Sequence, residues 1–176
     1  MESKPNIVGF IHHVKHPDYR KTLDFIRSNI SSKDRVAVES PISLDEIFSI
    51  GQSALPQYRF LHSICSTLKE KDAIIIPVED MKVYNLRASI RKWYRFEEYE
   101  KLEGDCKWQK LSIYSSIRLL ELAQQNNADF LLTGIMHAYD LKRMGYENVH
   151  LITEIPEEIQ RKENDWIERH KFSLER

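Results

Sequence analysis

The chain has 176 residues, 41% of them hydrophobic, and a formal charge of −1. That is enough apolar material for one core, and too little net charge for the overall field to hold a polyanion or an acidic membrane. No window of about 18 uncharged apolar residues offers a membrane span, and MESKPNIVGF lacks the basic start and long apolar run of a secretory signal.

Few prolines and glycines, no fixed-period repeat and no low-complexity stretch give no reason to divide residues 1–176 into more than one domain. Cys65 and Cys106 have no partner at metal-finger or redox-motif spacing, so two ordinary thiols in a reducing, cytoplasmic setting are expected.

Apolar runs at 6–11 (NIVGFI), 35–40 (RVAVES), 73–78 (AIIIPV), 129–134 (DFLLTG) and 148–153 (NVHLIT) are too short for typical helices. They are continuous rather than alternating, the pattern of strands buried on both faces. Between them, PDYRKTLDFIRSNI has helical spacing, and SLDEIFSI opens with Ser43 and Glu46 as a capping box. From Met81 to Asn127 the pattern is helical with a break near Gly104, SIYSSIRLLELAQQ being the cleaner second helix. YDLKRMG predicts a short helix stopped by Gly145, and PEEIQRKENDWIERHKF opens as helices often do. The expected fold is a single-domain α/β structure: a mostly parallel sheet flanked by helices, an αβα sandwich.

In such sheets ligands bind beyond the carboxyl ends of the strands. This chain puts His12 and His13 after the first strand and Glu39 at the end of the second. Glu79 and Asp80 follow the third, and His137 and Asp140 follow the fourth. Imidazoles and carboxylates on one rim suit a divalent cation or a histidine and carboxylate acid-base site. Gly9 and Gly134 each precede a histidine by three residues, and a residue without Cβ lets backbone turn tightly or approach a ligand. His13 and His16 read as exposed turn residues. Asp80 also suits a helix N-cap, and Glu39 a helix-capping carboxylate.

Other chemistry is less well supported. GFIHH has one glycine where nucleotide fingerprints need two or three, so no nucleotide is expected. Ser40 and Ser43 lack a glycine-flanked elbow. RASIRKWYRFEEYEK mixes Arg87, Arg91, Lys92 and Arg95 with Trp93, Tyr94 and Phe96, a combination that can track nucleic acid. Glu97, Glu98 and Glu100 follow at once, which favours an amphipathic helix of mixed charge over a nucleic-acid surface.

The paired Gly-x-x-His motifs, Gly9 to His12 and Gly134 to His137, with the strand-ending Glu39 and the late run from Leu141 to Tyr146 and Val149, resemble the TraB, Tiki and ChaN/EreA-like superfamily. The resemblance covers residues 6–40 and 128–153. It implies hydrolysis of a peptide or ester: Tiki members resemble metalloproteases, EreA-like members open esters by histidine-assisted attack of water, and ChaN-like members bind haem or iron.

Carried onto this chain, the resemblance makes His12, His137, Glu39 and Arg118 the catalytic candidates, with Arg87 or Arg91 as alternatives for the arginine. A divalent ion (Mn, Co, Zn or Fe) would draw its ligands from His12, His137, Glu39, Glu79 and Asp80, with Gly9 and Gly134 shaping the binding ground. The partner is a small-molecule or peptide substrate, and a homo-oligomer is compatible with the pattern. The competing reading is a non-catalytic regulatory protein that holds a metal or small ligand.

Overall fold

The computed structural model describes residues 4–11, 18–50, 56–93 and 106–161. Five parallel strands form one sheet: β1 (Asn6–Phe10), β2 (Arg35–Glu39), β3 (Ile74–Val78), β4 (Phe130–Gly134) and β5 (Val149–Leu151), in the order β3-β2-β4-β1-β5. The helices are α1 (Tyr19–Asn29), α2 (Leu44–Ile50), α3 (Pro56–Glu70), α4 (Met81–Trp93), α5 (Cys106–Gln125) and α6 (Ile135–Arg143), with a further helical turn from 157. The single-domain α/β sandwich expected from the alternating runs is the fold.

Continuous apolar strands make sense here because both faces are covered. Val8, Phe10, Val36, Val38 and Leu132 pack against Ile26 and Ile30 of the α1 segment and Phe60, Ile64 and Leu68 of α3. Their odd-phase neighbours Ile7, Ala37, Val78 and Leu131 pack against Leu119, Leu120 and Ala123 of α5 and Ala138 and Leu141 of α6. Phe10 stacks on Phe60 with ring centroids 4.8 Å apart. Each such fully buried side chain contributes roughly 1.5–3 kcal/mol by leaving water. Pro77, which cannot donate to a ladder, lies on β3, which among the described residues is an edge strand paired with β2.

The strand order places the site. β1 and β4 are neighbours, with Phe10 opposite Gly134, yet the chain leaves β1 for the α1 face and leaves β4 for the α6 face. Adjacent strands whose connections diverge open a crevice at their carboxyl ends. β2 lies on the other side of β4, so Glu39 closes the same rim.

Helix boundaries differ from the sequence reading at one informative point. α6 begins at Ile135, directly after β4, so His137 stands inside the helix rather than in a loop before it. Gly145 ends that helix with φ +92°, the left-handed stop expected of it.

Candidate functional site

Glu39, last residue of β2, shares the side of the sheet occupied by Ala37 and is nearly buried. Its Oε2 accepts a hydrogen bond from Thr133 Oγ1 at 2.6 Å and from the backbone N–H of Gly134 at 2.7 Å. Gly134 is the N-cap of α6, so the carboxylate faces the positive end of that helix and ties β2 to β4. Its other oxygen, Oε1, lies 3.7 Å from His137 Nε2.

His137, 4% exposed, is held from both sides. Nδ1 is 2.7 Å from Ser116 Oγ on α5, and Nε2 is 2.9 Å from Arg87 Nη1 on α4. A guanidinium only donates, so Nε2 must accept, and the imidazole proton is on Nδ1. The 2.9 Å contact with Arg87 therefore outranks the longer approach of Glu39 Oε1, which would require a proton on Nε2. Ser116 Oγ accepts from Nδ1 and has its own single proton for Asp140 Oδ2 or Ser112 O, each 3.0 Å away. Arg87 is fixed by further contacts: Nη1 donates to Ser115 Oγ at 3.1 Å, and the guanidinium lies 5.5 Å from the Trp108 ring centre.

Glu79, just beyond β3, is the perturbed acid. Burial pushes its carboxyl up to about 7, and the charge of Glu39 adds to the rise, while Arg87 and the Asp80 N–H oppose it. A carboxyl near 7 beside an ionised neighbour is suited to giving and taking a proton around neutrality. In the unfolded chain the same group titrates near 4.5. Stability tied to Glu79 is therefore complete below 4.5 and is lost as pH climbs to about 7, by roughly 3 kcal/mol in all. Glu79→Gln should flatten that decline, read as urea midpoints measured from pH 4 to pH 8.

The remaining candidates lie apart from this group or do other work. Asp80 Oδ1 accepts from the N–H groups of Lys82 at 3.0 Å and Val83 at 3.2 Å, capping α4, and Oδ2 pairs with Arg118 Nε at 3.1 Å. These contacts lower its pKa, the Val83 bond foremost. Asp80→Ala should cost about 1 kcal/mol of stability, measured by urea unfolding, through the lost cap.

Arg118 is taken up by Asp80 and by Glu121 one turn on, and does not reach His137 among its described contacts. Arg87, one of the two alternatives to Arg118, is the arginine whose described contacts include His137. Gly9 does not open toward a ligand: a Cβ on it would lie 2.5 Å from Ala138 Cβ and 3.2 Å from the Ile135 Cα, so its lack of a side chain seats α6. Gly134, at φ −56° and ψ 144°, adopts a backbone conformation open to any residue. His12, His13 and His16 lie outside the described residues, as does most of RASIRKWYRFEEYEK. Arg87, within that run, turns inward to His137 and is withdrawn from any basic surface stripe.

Sequence reading missed Ser115, Ser116 and Thr133. The first two were legible only as adjacent hydroxyls in the apolar SIRLL context, a weak signal because serine is ordinary in helices.

Among the described residues, no three histidine, cysteine or acidic side chains come together as a group able to hold a metal. Arg87 also occupies the Nε2 lone pair that a divalent ion would need, and a second cation there would face the guanidinium. As they stand, the described side chains fit proton transfer and oxyanion binding better than cation coordination. No helix among the described residues is long and apolar enough to cross a membrane. No family model, curated protein or solved structure matches the chain.

Proposed function

We propose that this protein is a hydrolase in which His137, Arg87 and the Glu39 and Glu79 carboxyls act on an ester or amide carbonyl of a small molecule or peptide. The observation that carries the reading is the meeting of an accepting Nε2 with a guanidinium at 2.9 Å, with a carboxylate 3.7 Å from the same nitrogen.

The chemistry follows from those groups. Water attacks the carbonyl carbon as it loses a proton to His137 Nε2, and the carbonyl electron pair moves to oxygen, where Arg87 balances the charge. The tetrahedral adduct then collapses. The bond to the leaving group breaks, and the departing oxygen or nitrogen takes a proton from the imidazolium or from Glu79. Glu39 keeps the helix start and β4 in register and, at 3.7 Å, steadies the imidazolium that forms. For Nε2 to accept from water, Arg87 must pass from the imidazole to the substrate oxygen, and the developing negative charge drives that exchange. The resemblance to the TraB, Tiki and ChaN/EreA-like superfamily supports the same class, since its EreA-like members open esters with a histidine and water.

The test is hydrolysis of p-nitrophenyl esters and fluorogenic peptides by protein purified without a chelating tag, with and without EDTA. Turnover that survives EDTA and falls about 100-fold or more in His137→Gln is the expected result. Turnover abolished by EDTA and restored by Mn, Co, Zn or Fe would replace this version with a metal-supported one. Saturable binding of a small ligand without turnover would replace the hydrolase with a regulatory binding protein.

A further inference from the structure

We infer that Ser116 and Asp140 form a buried relay that decides which nitrogen of His137 carries the proton, keeping Nε2 an acceptor when Arg87 leaves it. The inference deepens the hydrolase reading and takes its purpose from it. The relay itself is a matter of hydrogen-bond direction and can be read without turnover.

Two carboxylates compete for the ring. Glu39 Oε1, 3.7 Å from Nε2, favours a proton on that nitrogen, which would leave the reactive atom a donor and useless as a base. Arg87 prevents this while it donates to Nε2, but in the proposed reaction Arg87 turns to the substrate oxygen. Something else must then hold the proton on the far nitrogen.

Ser116 Oγ, 2.7 Å from Nδ1, is placed for this, and Asp140 gives it direction. The hydroxyl proton has two acceptors at 3.0 Å, Asp140 Oδ2 and Ser112 O, of which the carboxylate is the stronger; given to either, it points away from the ring and a lone pair faces Nδ1. Arg143 Nη2, 3.8 Å from Asp140 Oδ1, supports the ionised form of that acid. Ser116 is 0% exposed and Asp140 4%, so water cannot easily substitute for either partner. Both helices are fixed by packing, through Leu119 and Leu120 on α5 and Ala138 and Leu141 on α6. Ser116 is thus a positioning residue: its burial keeps it from substrate, and it acts through the imidazole.

The experiment reads the tautomer by long-range proton-nitrogen correlation spectra of the full chain carrying nitrogen-15 histidine. His137 is assigned among the seven histidines by its disappearance in His137→Gln. Spectra are taken at a pH high enough for the ring to be neutral. Wild type and Arg87→Gln should both show Nε2 without a proton. Adding Ser116→Ala to Arg87→Gln should move the proton to Nε2 as the major form. Adding Asp140→Asn instead should move it part of the way, because among the described contacts the Ser112 carbonyl is then the acceptor left to compete with Nδ1 for the Ser116 proton.

Ser116→Thr, which keeps the hydroxyl, should retain the wild-type pattern in the Arg87→Gln background. Urea midpoints identify any variant that fails to fold, and Asp140→Asn carries the test if Ser116→Ala is lost. A proton on Nε2 in Arg87→Gln alone, or no movement of the proton toward Nε2 in folded Ser116→Ala/Arg87→Gln or Asp140→Asn/Arg87→Gln, would overturn the relay. An intact relay in a protein that hydrolyses nothing would sink the hydrolase reading and leave this one standing.

Discussion

Gly9→Ala is expected to lower unfolding stability by about 2–3 kcal/mol, the upper part of the usual range for overpacking, as measured by urea denaturation. The added methyl would stand 2.5 Å from Ala138 Cβ and 3.2 Å from both the Ile135 Cα and Leu151 Cδ2. Of these neighbours only the leucine tip can swing aside. β1 cannot withdraw, since it is paired on both edges, to β4 and to β5. α6 must therefore lift, and α6 carries His137 and Asp140. Activity should fall with stability, beyond what the unfolded fraction explains.

Ala138→Gly removes the opposing methyl and should recover part of the loss in the double variant, although alone it costs about 1 kcal/mol in helix propensity. Additive losses in that cycle would show that the close approach of β1 and α6 is not what Gly9 provides.

The same contact explains how much of the molecule was legible. The apolar runs at 6–11, 35–40, 73–78 and 129–134 became β1 to β4 to within a residue at either end, because a strand covered on both faces leaves a continuous signature. The capping box was equally local: Ser43 Oγ and Glu46 Oε2 lie 2.8 Å apart, and the Glu46 N–H donates to Ser43 Oγ. What a single sequence does not display is which element lies over which. Gly9-x-x-His12 and Gly134-x-x-His137 look like two copies of one device, yet Gly9 makes room for the helix that carries the other motif's histidine.

Glu39 and His137 were readable as strand-end polar residues. Arg87 was readable as one of three arginines without a way to choose among them, and Ser116 and Thr133 were not readable, because they are ordinary residues until the fold brings α4, α5 and β4 together around the imidazole. Asp80 was readable in two ways, and the cap geometry decides for the helix start.

The sharpest consequence concerns the two arginines. Arg87→Met should lower kcat/KM by about 100- to 1000-fold, the usual loss when an oxyanion donor is removed, whereas Arg118→Met should stay within a few-fold of wild type. Both side chains come from helices on the same side of the sheet, and both lie near a carboxylate that follows β3. Their surroundings separate them. Arg118 is 29% exposed and spends its donors on Asp80 and Glu121, pairs of a kind worth about 0–1 kcal/mol at a surface. Arg87 is directed inward by Ser115 and Trp108 and meets the one nitrogen of His137 that can accept a proton.

Methionine keeps most of the apolar stem of either arginine, so urea midpoints run beside the kinetics separate lost packing from lost charge. Loss of turnover in folded Arg118→Met, with Arg87→Met unaffected, would place the developing negative charge on the Asp80 side of α5. It would leave the contact between Arg87 and His137 a structural one.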